Sequence, residues 1–156
     1  MDTINLPAGE RMRQESFTSE KAFERRYLQK QYPNEYEFFG MTDDDFTTAK
    51  TTGVWPSLLE REKPDYYVPS ANVLFECCGT GSSGYLRIRE SKPLSMAYWC
   101  LKLGAKGYFS IWNSATEQGY LIDAPTMFEA VTHKTTEIEQ YDNKLFKIRP
   151  STLGIA

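Results

Sequence analysis

Histidine and cysteine are scarce in this chain. It has one histidine, His133, and three cysteines, two of them adjacent at Cys77 and Cys78. An adjacent pair lacks the two-residue spacer of a chelating thiolate pair, and a single imidazole cannot complete the set, so the sequence argues against zinc. An odd cysteine count also argues against the disulfide framework of a small secreted domain. No apolar run approaches the ~18 residues of a membrane span. Met1 to Glu15 is polar and carries no apolar signal region. The expectation is a reduced cytoplasmic protein, neither secreted nor membrane-bound.

Excess positive charge is missing too: 18 Lys and Arg stand against 21 Asp and Glu, for a net charge of −3. The distribution says more than the sum. Up to Asp65 there are nine Lys/Arg against thirteen Asp/Glu, whereas Ser82 to Lys106 carries Arg87, Arg89, Lys92, Lys102 and Lys106 against Glu90 alone. Two familiar site motifs are absent as well. The glycine-rich stretch Gly79 to Gly84 is not followed by Gly-Lys-Ser/Thr, which leaves a mobile loop between strands. The run Asp43-Asp44-Asp45 lacks the alternation, glycine and closing Glu of a calcium loop and reads as the start of a short helix reaching toward Lys50.

The 156 residues are 40% apolar, with ten Tyr, nine Phe and three Trp, enough to bury a core in one domain. Residues 1–17 read as a flexible arm and 18–156 as a single domain. A helix begins near Ser19 and stops at Pro33, with Phe23, Tyr27 and Leu28 on one face. Val73 to Cys78 is a β-branched and aromatic run between Asn72 and Gly79, the pattern of a strand. A second strand, Tyr85 to Arg89, places Leu86 and Ile88 opposite Arg87 and Arg89. Ser91 to Leu103 is a helix capped by Ser91 and stopped by Gly104, with Leu94, Ala97, Tyr98 and Leu101 spaced to pack on a sheet. Gly107 to Trp112 and Gly119 to Asp123 are strands around a turn, Pro125 to His133 is a short helix, and Leu145 to Ile148 is a last strand. This order describes an α/β domain around one mixed central β-sheet flanked by helices.

Two carboxylates stand out against this frame. Glu76 sits inside the apolar strand, where an unpartnered charge costs several kcal/mol, so it must face a metal, a cation or solvent. Asp65 follows Pro64, a common turn pair that also opens a neighbouring strand and can bring its carboxylate toward Glu76. Paired carboxylates suit a hard cation such as Mg²⁺. Glu20 and Glu24 on the first helix read first as solvated partners of Arg25, Arg26 or Lys30. Arg87 and Arg89 suit phosphate oxygens or solvent alike. Cys77 falls on the opposite strand face and reads as core. Trp99 and Trp112 read as core, and His133 as a surface residue at a helix end.

A helix carrying Glu24, then Pro64-Asp65, then Val73-Leu74-Phe75-Glu76-Cys77-Cys78-Gly79, then Leu86-Arg87-Ile88-Arg89, a helix and the strand Phe109 to Asn113, resembles the PD-(D/E)XK nuclease superfamily, in particular small bacteriophage-encoded members. The likeness covers about Thr18 to Asp123. It implies a restriction-endonuclease-like core and a metal-dependent DNA endonuclease of phage type, in the host cytoplasm. It makes Asp65 and Glu76 the ligands of Mg²⁺ or Mn²⁺, with Glu24 (or Glu20) as a third catalytic acid and Arg87, Arg89 and Lys92 as DNA contacts. Cys78 stands where the family has its catalytic lysine. Three outcomes follow from that departure: the lysine's role has moved to Arg87, Arg89 or Lys92, the metal suffices alone, or the site is degenerate. In the last case the protein is a DNA-binding or virion or assembly component. A homodimer suits a double-strand cutter, although no patch in the sequence argues for one. The blandest alternative is a small interaction protein whose carboxylates never meet.

Overall fold

The computed structural model describes residues 18–80, 84–133, 137–140 and 144–155. The expected arm over 1–17 and the centre of the glycine-rich loop lie outside the described residues.

Helix α1 spans residues 18–31 and contains a π-turn, Glu24–Leu28, before its last turn, Gln29–Gln31. Phe23 and Leu28 are its buried side chains. A two-residue strand, β1 (Glu37–Phe38), leads to α2 (Asp43–Thr52). Thr42 caps α2 in a reciprocal box with Asp45: Thr42 Oγ1 accepts the Asp45 N–H, and Asp45 accepts the Thr42 N–H at 2.9 Å. The acidic run is therefore a helix start, where its charges complement the dipole. The next stretch holds a one-turn helix, α3 (Leu58–Arg61), capped by Ser57.

The central sheet is mixed and five-stranded: β1, β2 (Tyr66–Val68), β3 (Val73–Gly79), β5 (Lys106–Asn113) and β6 (Gln118–Asp123), in that spatial order. β3 and β5 are parallel and the other neighbours are antiparallel. Helix α4 (Ser91–Leu103) makes the crossover between the parallel pair. It ends at Gly104 in the left-handed conformation, φ 62°, which a glycine adopts without strain. Helix α5 (Ala124–His133) packs on the same side.

The strand alternation across β3 separates two cores. Leu74 and Cys78 join Met96, Trp99, Phe109, Ile111 and Met127 under α4 and α5. Val73, Phe75 and Cys77 join Phe23, Leu28 and Tyr66 under α1, so Cys77 is core as expected. Trp99 is core as well, 5% exposed, and its Nε1–H donates to the Leu59 carbonyl at 3.1 Å.

Three expectations change. The strands do not all join one sheet: β4 (Leu86–Arg89) pairs with β8 (Lys144–Ile148), and β8 with β7 (Glu137–Gln140), in a separate three-stranded sheet. Ser91 is the first residue of α4 and not its cap; Glu90 holds that position with no side-chain hydrogen bond. The buried face of α4 is Met96, Trp99, Cys100 and Leu103, while Leu94 and Leu101 are 62% and 85% exposed. Both stripes have helical spacing on a mostly apolar helix, and close contact decided between them. A Cβ built on Gly107 would meet Met96 Sδ at 2.6 Å and Cys100 Sγ at 2.7 Å. The sheet has a notch at Gly107, and the two sulfurs fill it.

Candidate active site

Asp65 immediately precedes β2. The β2–β3 register, with Tyr66 opposite Phe75, continues by one step to set Asp65 across from Glu76. Residues so opposed have Cβ atoms about 4.5–5.5 Å apart. The Asp65 carbonyl accepts the Phe39 N–H at 2.8 Å, and its Oδ2 accepts the Cys77 N–H, also at 2.8 Å. Asp65 and Glu76 are 7% and 5% exposed. At that depth each carboxylate needs a partner.

The partners come from three helices. Glu20, on the first turn of α1, hydrogen-bonds the Asp65 side chain. Lys92, at the start of α4, puts its Nζ 2.9 Å from Glu76 Oε1 and 3.3 Å from Glu62 Oε2. Glu62, the C-cap of α3 and itself buried, also accepts from Arg89 Nη1 at 3.3 Å. The result is a line of partners, Glu20 on Asp65, then Glu76, Lys92, Glu62 and Arg89, buried at Asp65, Glu76 and Glu62 and exposed at Arg89.

Four acids surround one ammonium, so the cluster retains protons at neutral pH. Burial, then the charge of Asp65, push Glu20 up to about 8, which makes Glu20 the donor in its hydrogen bond with Asp65. Burial raises Asp65 despite Lys92 and the Cys77 N–H. Burial and Asp65 raise Glu76 well above the usual carboxylate range, with Lys92 opposing. Burial alone would lower Lys92, but Glu76, Asp65 and Glu62 together hold it above its ordinary value. Lys92 is an ammonium.

Of the residues singled out in the sequence, all but His133 have a described side chain. Cys78 points into the core beside Leu74, and burial, then Glu76, push its thiol well up, so it contributes no charge. The cation beside Glu76 is Lys92, delivered by α4. Glu24 lies one turn beyond Glu20 and accepts the Tyr66 hydroxyl at 3.1 Å, so Glu20 is the helix acid bonded to Asp65. Arg89 reaches the cluster through Glu62. Arg87 sits opposite Lys147 on the outer side of the second sheet. Trp112 lies under the Arg26 guanidinium at 4.7 Å. Glu62 was not singled out. The signal was Ser57 followed three residues later by Glu60, a helix start.

Among the described residues no three His, Cys, Asp or Glu side chains form a ready cation cage. The donors are nonetheless all oxygen: two buried carboxylates and a third acid with an exchangeable proton. That chemistry fits Mg²⁺ or Mn²⁺, which keep several waters and need only one or two protein carboxylates. The buried protonated thiols of Cys77 and Cys78 offer no soft ligand.

No family model matches the chain, and no curated protein matches it. Among solved structures it is similar to D212, a nuclease from a fusselovirus, at 11% identity and a TM-score of 0.49, over 96% of this chain and 88% of that one. At that distance neither fold nor activity transfers from one protein to the other. Among the described residues no helix is long and apolar enough to cross a membrane.

Proposed function

We propose that this chain is a Mg²⁺- or Mn²⁺-dependent DNA endonuclease with a PD-(D/E)XK-type site, in which the lysine comes from a helix instead of the strand. The observation that carries the reading is Lys92 Nζ 2.9 Å from Glu76 Oε1, beside Asp65. Asp65 and Glu76 are the residues to hold the ion. Bound there, the metal supplies a water of lowered pKa and stabilises charge on the scissile phosphate.

The other roles belong to the chain's own groups. Lys92, kept charged by its acidic neighbours, offers a fixed positive charge to a phosphate oxygen and does not act as a base. Glu20 holds a proton in the metal-free site at neutral pH, and once it has given that proton up its carboxylate is the group suited to taking one from the attacking side. Glu62 and Arg89 hold Lys92 in place. Glu24 supports the site through Tyr66.

The test is incubation of plasmid and branched DNA with Mg²⁺ or Mn²⁺. The wild type cuts, and Asp65→Ala and Glu76→Ala lower the rate by about two orders of magnitude or more, the scale of losing a principal electrostatic contact. If no substrate is cut, or if both variants cut as the wild type does, the enzyme reading fails.

One observation favours a second reading. Lys92 already neutralises Glu76, as it would in a degenerate site serving only to bind DNA or to act in virion assembly. Metal titration separates the two. A rise in melting temperature with Mn²⁺ that Glu76→Ala abolishes belongs to a working site, and no rise belongs to the remnant.

A further inference from the structure

The residues Leu94, Ala97, Tyr98 and Leu101 have the spacing of a face that packs on a sheet, and the sheet does not use them. Met96, Trp99, Cys100 and Leu103 fill that role from the other side of α4. Leu94 and Leu101 are left on the outside, with Tyr98 between them at 40% exposure. Positions i, i+4 and i+7 share one face of a helix, so the three side chains form a single apolar ridge. Contiguous apolar surface marks an interaction site, whereas scattered exposed leucines do not. Helix α3 borders the ridge on one flank, where the Leu59 carbonyl accepts from Trp99 Nε1 and from Ser95 Oγ at 3.5 Å. Its neighbour Leu58 is exposed too and widens the apolar surface there.

What fits this ridge follows from its symmetry and its charges. Leu94 and Leu101 lie equally far from a point between Ala97 and Tyr98. A second α4 laid antiparallel across that point sets each Leu94 against the other copy's Leu101 and brings the two Tyr98 side chains together, as a two-fold contact requires. The charges fall the same way. Glu90 stands at the N-terminal end of α4, and Lys102 and Lys106 at the C-terminal end, all three exposed. Antiparallel pairing places the acidic end of each helix by the basic end of the other, and opposite poles of the two helix dipoles side by side. Parallel pairing would set like against like at both ends.

We infer that the outer face of α4 pairs antiparallel with the same face of a second copy of this chain. One helix face with a flanking turn lies at the small end of specific interfaces, below about 1,200 Å² in total, so the pair assembles reversibly. The pairing stands whether or not the acid cluster cuts DNA. Because Lys92 lies on the same helix, the pairing also fixes the two clusters relative to each other, about 16 Å apart along α4 at ~1.5 Å per residue.

The experiment weighs the whole chain by light scattering after gel filtration, from ~5 to ~200 µM, a range that brackets a weak specific interface. Wild type is expected to pass from the monomer mass to twice that mass across the range. Leu94→Glu/Leu101→Glu sets acid against acid at both ends of the ridge and should stay at the monomer mass. Its melting temperature at the lowest concentration should match wild type, because both side chains are exposed in the single chain. Cysteine substitution tests the register. Leu94→Cys/Leu101→Cys should close into a covalent dimer on mild oxidation. Leu94→Cys alone should not, since its two copies stand about 10 Å apart along the helix axis, beyond the ~7 Å reach of a disulfide.

A wild type that stays monomeric throughout the range overturns the pairing and leaves the ridge to a different protein. A dimer that survives Leu94→Glu/Leu101→Glu, or that Leu94→Cys alone locks, overturns it as well. A dimer that behaves as expected but cuts no DNA leaves the pairing standing and removes the nuclease reading.

Discussion

The two ends of the acid cluster face the same problem and solve it differently. At one end Glu20 and Asp65 share a proton; at the other Glu76 and Glu62 share the Lys92 ammonium. Both arrangements remove negative charge from a low-dielectric site, but they differ in what can displace them. A proton exchanges freely with solvent and gives way to a divalent ion or a rise in pH. An ammonium tethered to α4 can only swing aside. The proton-bridged end is adjustable and the lysine-bridged end is fixed, as a site needs if it is to admit a metal while keeping a permanent cation for phosphate.

The largest test of that contrast is Lys92→Met. It strands two buried carboxylates, and removing one partner of a buried ion pair typically costs about 3–5 kcal/mol. Chemical denaturation at pH 7 should show a loss of that size, shrinking as the pH is lowered and the freed acids take up protons. DNA cutting should vanish with it. A stability change under about 1 kcal/mol would mean that Lys92 does not neutralise the cluster.

Glu62→Gln probes the same end more gently, since Lys92 retains Glu76. Replacing the charge leaves hydrogen bonding possible, and a loss of about 1–2 kcal/mol is expected, on the scale of a hydrogen bond to a charged group. Cutting should fall at fixed substrate affinity, because the lysine loses its second anchor. An unchanged turnover would remove Glu62 from the support of Lys92.

The proton-bridged end is tested by pH. A carboxyl whose folded pKa is raised contributes stability below its unfolded value and loses it as pH climbs through the folded one. For Glu20 that window runs from 4.5 to about 8. Melting temperature should therefore decline across it in the wild type and decline less steeply in Glu20→Gln. Mn²⁺ should flatten the wild-type profile at its alkaline end. Equal slopes in the two proteins would rule out the shared proton.

The smallest expected effect is at Cys78. As a neutral core thiol it can become Ala at a cost of about 1 kcal/mol, the price of a small cavity, with cutting in the presence of Mg²⁺ within about twofold of wild type. A large loss of activity would return a chemical role to the strand position that Cys78 occupies.

Local signals made much of the fold legible. The span of α4 followed from its length of helical pattern and the glycine that ends it. The two faces of β3 followed from strict alternation between Val73 and Cys78. What could not be read depended on distant contacts. Two apolar stripes on α4 had equal helical spacing, and only the notch at Gly107 chose between them. The second sheet needs β8, more than fifty residues after β4 along the chain, so nothing near Leu86 announces it.

The candidate site divides the same way. Asp65 and Glu76 declared themselves, one by its place beside a turn and the other by being a charge in an apolar strand. Lys92 was visible as a cation following the strand, but its reach to Glu76 depends on how α4 is rotated. Glu20 and Glu24 are interchangeable in a helical pattern. Their separation, one on Asp65 and the other on Tyr66, emerges only when α1 is laid against β2.

The notch at Gly107 has a mechanical consequence. Met96, which fills it, lies one helical turn after Lys92, so the depth of the notch gauges how closely the start of α4 approaches Glu76. A single methyl group added at residue 107 must displace Met96 Sδ and Cys100 Sγ, and to the extent that the helix and not those side chains gives way, it lifts the ammonium from its carboxylate without altering any charged residue. Electrostatic strength at the site is thus set partly by the absence of one carbon atom in the sheet beneath it.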